Sequence, residues 1–272
     1  MPTFATPEPI AVRIEGIEGH IRLVASDRAD TVVQVVPRDS SKESDVWAAE
    51  HTRVDFRDGK LMVSGAKRGL ALFRHCATEV EIELPARSRV HASLGSADLR
   101  AAGEFGDFRV ATASGNVEVE AVTGRIKAAT ASGSVTVHAV GGSASIATAS
   151  GDVRIGDLDG DLKFKAAGGS LTVDRLSGYV KSRTASGSVD VAAAVRGGVS
   201  AATSSGEVAV GIAEGTAARL DIATGSGTVS NELQPSDGPR QGEETLALTV
   251  RSGSGDVSVR RASPTHETAS AT

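Results

Sequence analysis

One cysteine, Cys76, serves a chain of 272 residues. An internal disulfide framework is therefore excluded, as is a structural zinc site built on paired thiolates. Aromatic residues make up 3% of the sequence, with Trp47 and Tyr179 each the sole example of its type, so platforms for stacking sugar rings are scarce. Positive charge is not in excess: 29 Lys and Arg against 34 Asp and Glu give a net charge of −5. That balance implies no global attraction to nucleic acid or to an anionic membrane, and there is no specific nucleic-acid signal. No apolar run approaches the roughly 18 residues of a membrane-spanning helix. Met1 to Ile10 show neither the basic head nor the apolar core of a signal peptide. These absences lead to the expectation of a cytoplasmic protein with no membrane segment, surface display being left open.

What is abundant is small or aliphatic: 31 glycines among Val, Ile, Leu and Ala, a mixture suited to thin β layers. One phrase returns throughout. Thr-Ala-Ser-Gly-x-Val-x-Val occupies 112–119, 130–137 and 184–191, with Ile155 closing the copy at 148–155, and looser copies begin at Ala166, Thr203, Thr224 and Ser252. Gly115, Gly133, Gly151, Gly169 and Gly187 are 18 residues apart, and Gly206, Gly227 and Gly255 follow at longer intervals. A second half-unit carries apolar or small pairs such as Phe108/Val110, Ile126/Ala128 and Leu162/Phe164. Each unit thus holds two short strands of period two joined by glycine corners, too short for a helix-bearing repeat.

Such a unit cannot bury its apolar side alone, so successive units are expected to pair in parallel. The predicted fold is all-β: a single-stranded parallel β-solenoid with coils of about 18 residues. By parity the Thr and Ser columns point inward near the corners, where Gly115 and its equivalents are expected to adopt backbone angles that a side chain resists. The series Val12, Ile14, Ile17, Gly19, Ile21 and Leu23 copies Val117 to Ala128 offset for offset, placing the start of the solenoid near residue 10. The expected organisation is an N-terminal extension at 1–9 and a solenoid domain at 10–261, with regular repeats at 93–260 and a disordered tail at 262–272. Within it, 26–92 form an irregular N-terminal β segment of broader coils or a capping sheet, with strands at Val32–Val36, Val54–Phe56, Leu61–Val63 and Val80–Leu84.

The repeats, the lead-in Val80-Glu81-Ile82-Glu83-Leu84-Pro85 and the closing Ser252-Gly253-Ser254-Gly255-Asp256-Val257 together resemble a bacterial β-strand-repeat family of unknown function labelled "putative adhesin". The resemblance covers about residues 10 to 261. It implies a right-handed, pectate-lyase-like parallel β-helix, and its label implies surface display. It offers no catalytic residues to carry over.

The residues themselves point to no catalytic, cofactor-binding or metal-binding constellation. His20, His51, His75, His91, His138 and His266 are scattered without ligand spacing. Arg74-His75-Cys76 sets a thiol beside basic groups, and the alternative is a buried Cys76 beside an apolar strand. Asp157-Leu158-Asp159-Gly160-Asp161 has a calcium-loop look, but Leu158 and Leu162 fit inward columns and no bidentate Glu follows. Glu118, Asp152, Asp174 and Asp190 face outward but in different columns, which is unlike a glycan-cleaving pair.

Outward charge is the more informative pattern. Arg109, Lys127, Lys163 and Lys181 recur three residues after a repeat glycine, and Lys165 and Arg183 extend the stripe. Glu118, Glu120, Asp152, Asp174, Asp190 and Glu207 follow the other corner, so the molecule is expected to be electrically two-sided. The functional expectation is a non-catalytic scaffold or macromolecule-binding surface with no cofactor. Its partner would be an anionic polymer, an acidic protein face, or another copy of the chain. A polysaccharide-active enzyme and a true surface adhesin are the alternatives.

Overall fold

Between Phe108 and Thr112 the alternate residues Phe108, Val110 and Thr112 are buried while Arg109 and Ala111 face out. The same alternation recurs one repeat later in Ile126, Ala128 and Thr130, so period two produces strands with one apolar face. The computed structural model describes residues 1–66, 76–235 and 238–263. Arg74, His75, His266 and the tail beyond residue 263 lie outside the described residues.

The chain runs β1 (Thr3–Ala5), β2 (Ala11–Glu15), β3 (Gly19–Ser26), β4 (Asp30–Pro37), α1 (Glu43–His51), β5 (Arg53–Arg57) and β6 (Lys60–Ser64). It continues through β7 (Thr78–Pro85), β8 (Arg89–Phe105), β9 (Phe108–Ser114), β10 (Val117–Val122), β11 (Ile126–Thr130), β12 (Val135–Val140) and β13 (Ala144–Thr148). The remainder is β14 (Val153–Ala166), β15 (Leu171–Thr184), β16 (Val189–Thr203), β17 (Val208–Ile212), β18 (Thr216–Thr224), β19 (Val229–Asn231), β20 (Glu244–Ser252) and β21 (Val257–Arg261). The chain divides into two compact units, Met1–Arg154 and Ile155–Thr272.

In the first unit the repeats pair in parallel at the spacing of the sequence. Val117 lies beside Val135 and Leu99, and Ile126 beside Ala144 and Phe108. The first repeat departs from chain order. β2 pairs with both β6 and β8, and β3 pairs with both β7 and β8, so β2–β3 is inserted between later segments. Antiparallel strands finish this part: β4 on β7, β5 on β6 and β1 on β4. The helix α1, which the sequence reading did not anticipate, packs on β4 and β7. Its Asp45 is buried and accepts the Ala77 N–H at 2.9 Å.

In the second unit β15 pairs in register with β16, Leu171 beside Val189 and Val180 beside Val199. The last repeat is again out of chain order. β20 bonds to β16 on one side and β18 on the other, and β21 lies likewise between β17 and β19.

These arrangements correct the predicted architecture. The fold is all-β, but it holds a closed parallel barrel of seven strands with further strands outside it, in place of the right-handed, pectate-lyase-like β-solenoid. The physical reason is that parallel, in-register copies offer one another the same hydrogen bonds whichever copies meet. Periodicity therefore specifies the unit and its register but not the order of units in space. Closing a sheet also removes the unpaired edges that an open one exposes.

The corners explain why the Thr-Ala-Ser-Gly phrase recurs. The Thr hydroxyl is buried and accepts the N–H of the glycine three residues on: Thr130 from Gly133 at 3.0 Å, Thr148 from Gly151 at 2.7 Å, Thr184 from Gly187 at 2.9 Å and Thr203 from Gly206 at 2.9 Å. A left-handed backbone is not what most of these glycines supply. Gly115 has φ +113°, but Gly133, Gly151, Gly187 and Gly206 are not in the positive-φ region. Their requirement is proximity: a Cβ on Gly151 would lie 2.0 Å from the carbonyl oxygen of Gly133. Replacing Thr148 by Val, which keeps the shape and removes the acceptor, is expected to cost about 1–3 kcal/mol by orphaning a buried N–H. Thr148→Ser should cost much less, and denaturant unfolding of the two variants gives the comparison.

Candidate anion-binding surface

Where parallel strands lie side by side, outward residues one repeat apart become neighbours at about 4.8 Å. In the first unit this makes a row of His91, Arg109, Lys127 and Ser145 across β8, β9, β11 and β13. Because β2 is inserted beside β8, Arg13 joins the row next to His91. It is engaged by Glu15 at 2.6 Å.

Two residues earlier along the same strands runs a second row. Ala11 pairs with Lys60 on one side and Arg89 on the other. Asp107 and Arg125 follow Arg89, the three standing one position before the paired Val90, Phe108 and Ile126.

Together Lys60, Arg89, His91, Arg109, Arg125 and Lys127 line a shallow depression of about 330 Å³ floored by Val12, Val90 and Phe108. Lys60, Arg89, Arg109, Arg125 and Lys127 are exposed and His91 is half-buried. The one carboxylate in the lining, Asp107, accepts the backbone N–H of Arg125 at 2.9 Å. Among the described residues none of the five Lys and Arg side chains has an ion-pair partner.

Several cations elsewhere in the chain are matched. Arg28 pairs with Asp30 and Glu83, Arg87 with Glu104 at 2.6 Å, and Arg100 with Glu118 at 2.7 Å. The Arg100 guanidinium, followed by His138, holds the Glu118 carboxyl below its ordinary range. Arg251 does the same to Asp221, and Arg28 to Asp30. On the expected acidic side of the first unit two carboxylates are engaged. Glu118 is neutralised by Arg100, and Glu120 is occupied by the Gly103 N–H at 2.7 Å.

In the second unit Lys163, Lys165, Lys181 and Arg183 are all exposed, alternating with buried Leu162, Phe164, Val180 and Ser182. Gly160 and Gly178, three residues ahead of Lys163 and Lys181, lie backbone against backbone. Beyond Lys181 and Arg183 the neighbours are Ser200 and Ala202, where the basic run stops. The six predicted residues thus fall into two groups, Arg109 with Lys127 in one unit and the other four in the second.

Four residues of the depression were missed by the sequence reading: Lys60, Arg89, His91 and Arg125. Repeat arithmetic could have found three, since Arg89, His91 and Arg125 stand one period from Asp107 or Arg109. Lys60 arrives only through the out-of-order pairing of β6 with β2.

Other candidates resolve differently. Leu158 and Leu162 are each 1% exposed, so the acidic stretch around Gly160 is anchored by core side chains. Cys76 is half-buried beside a cavity of about 800 Å³ shared with Glu18, Asp39, Asp45 and Asp98. Among the described residues no group of three or more His, Cys, Asp or Glu is placed to hold a metal ion. No described helix is long and apolar enough to cross a membrane.

A profile of the family described as Toastrack DUF4097 matches residues 11–265. No curated protein matches the sequence. Among solved structures, the chain is similar to a "putative adhesin" of Bacteroides fragilis at 12% identity and a TM-score of 0.45, covering 95% of both chains. It is also similar to a "putative lipid binding protein" of Parabacteroides distasonis at 15% identity and a TM-score of 0.46, covering 94% of this chain and 95% of that one.

Proposed function

The chain belongs to the Toastrack DUF4097 family, and within it we propose a non-catalytic, adhesin-like role: holding an anionic polymer on the basic depression of the first unit. The observation that carries this reading is the unmatched cluster itself. Five exposed Lys and Arg side chains and His91 converge on one surface whose single carboxylate is already hydrogen-bonded to backbone. Neighbouring cations about 4.8 Å apart repel, and a ligand with repeated oxyanion groups relieves that repulsion while offering guanidinium forks bidentate partners.

The form of the site narrows the ligand. It is open and shallow, and Phe108, its one Phe, Tyr or Trp, is 1% exposed, so it lacks the exposed rings of that kind on which bases stack in single-strand binders. Recognition through charge and contour suits an acidic polysaccharide. Titration of the full chain with heparin as the probe, beside neutral dextran and single-stranded DNA, tests the reading. Binding should be confined to heparin or strongest there, with log K falling against log salt at a slope of about −3 to −5 for some five ion pairs. Equal affinity for dextran, or insensitivity to salt, would overturn it.

A further inference from the structure

Strand β18 bonds to β20 along one edge and to no described strand along the other. Its inward Leu220 and Ile222 are half-buried, whereas Leu248 and Val250, their register partners on β20, are 1% and 0% exposed. Val229 of the adjoining β19 is 44% exposed. The apolar interior of the second unit therefore stops at β18 and β19 without a cover among the described residues. The edge is long and regular, pairing from Thr216 to Thr224 without a bulge and without proline, and it lacks those usual devices that keep edges apart.

We propose that this edge pairs with β18 of a second copy, antiparallel about a two-fold axis at Leu220. The residues select that register. With the axis at Leu220, Leu220 meets its own equivalent, Ala218 meets Ile222, and the outward Arg219 of each copy meets Asp221 of the other. Moving the axis to Arg219 sets two guanidiniums opposite each other, and moving it to Asp221 sets two carboxylates opposite each other; both are destabilising. A slip of one residue presents the apolar face of one strand to the polar face of the other. Asp221 is already oriented, since Arg251 donates to its carboxylate at 2.6 Å and to its carbonyl at 2.9 Å. Arg219 is exposed and brings the second guanidinium from the other copy. The pairing is isologous, as two-fold contacts must be, and it joins the two open interiors through Leu220 and Ile222.

Sedimentation of the full chain across a concentration series should show a monomer–dimer equilibrium. Arg219→Glu sets like charges opposite each other twice and should weaken dimerisation by about tenfold. In a Cys76→Ser background, Leu220→Cys should give a disulfide-linked dimer under mild oxidation and Ala223→Cys should not. A wild-type chain that stays monomeric at its highest soluble concentration overturns the proposal. So does a dimer indifferent to Arg219→Glu, or one that cross-links equally from both positions. None of these readouts involves polyanion binding, which stands or falls separately.

Discussion

Gly133→Ala is expected to unfold the chain under conditions in which the wild type is stable. A Cβ at that position would lie 1.8 Å from the carbonyl oxygen of Gly115 and 2.7 Å from its carbonyl carbon. Both are backbone atoms of the neighbouring corner, so no side chain can swing away. Relief requires the corners to separate, which strains the pairing of Val117 with Val135 just beyond them. Overpacking of this kind costs about 3 kcal/mol or more, or roughly 6–12 °C in Tm for a domain of this size. Gly59→Ala has a different cause and should cost less: its φ is +69° but nothing lies within 4 Å of an added Cβ. Thermal melts of the two variants separate the effects, and equal melting temperatures would show that proximity is not what the corner glycines supply.

The second large effect concerns the surface. Arg109→Glu, Arg125→Glu and Lys127→Glu together should abolish polyanion capture. Removing one exposed ion pair with the polymer costs on the order of 1 kcal/mol, and turning three of them repulsive amounts to at least about a hundredfold in affinity. The melting temperature should be little changed, because these side chains have no ion-pair partner among the described residues. Lys163→Glu with Lys181→Glu, in the other unit, serves as the matched control and should retain most of the affinity. An affinity within about threefold of wild type in the triple variant would remove the depression from consideration.

Much of this was legible in the sequence. The 18-residue interval placed Arg109 beside Lys127 and Val117 beside Val135, and strand pairing puts them there. Parity assigned Thr112, Thr130 and Thr148 to the inside, where all three are buried. What periodicity could not convey was order. Val12 to Leu23 matches the later repeats residue for residue, yet β2 and β3 lie between β8 and the pair β6 and β7. One well-formed copy pairs with another irrespective of how much chain separates them, and no local signal marks the exchange. That is also why Lys60 could not be assigned to the basic surface. The helix α1 was hidden for another reason. Acidic Glu43 and Asp45 in its first turn and His51 in its last suit the helix dipole, but with Asp45 and Ala48 as its buried residues it shows no apolar stripe of helical period.

The position of the final repeat has a consequence for how the protein is made. A ribosome releases β18 and β19 before β20 and β21 exist, yet both of the earlier strands bond to the later ones. This end cannot be laid down in step with translation. The emerging segment reaches its final place only when the last stretch of chain slides in between, so truncation at residue 243 would remove the keystone of an arch and leave the outer stones without their native support.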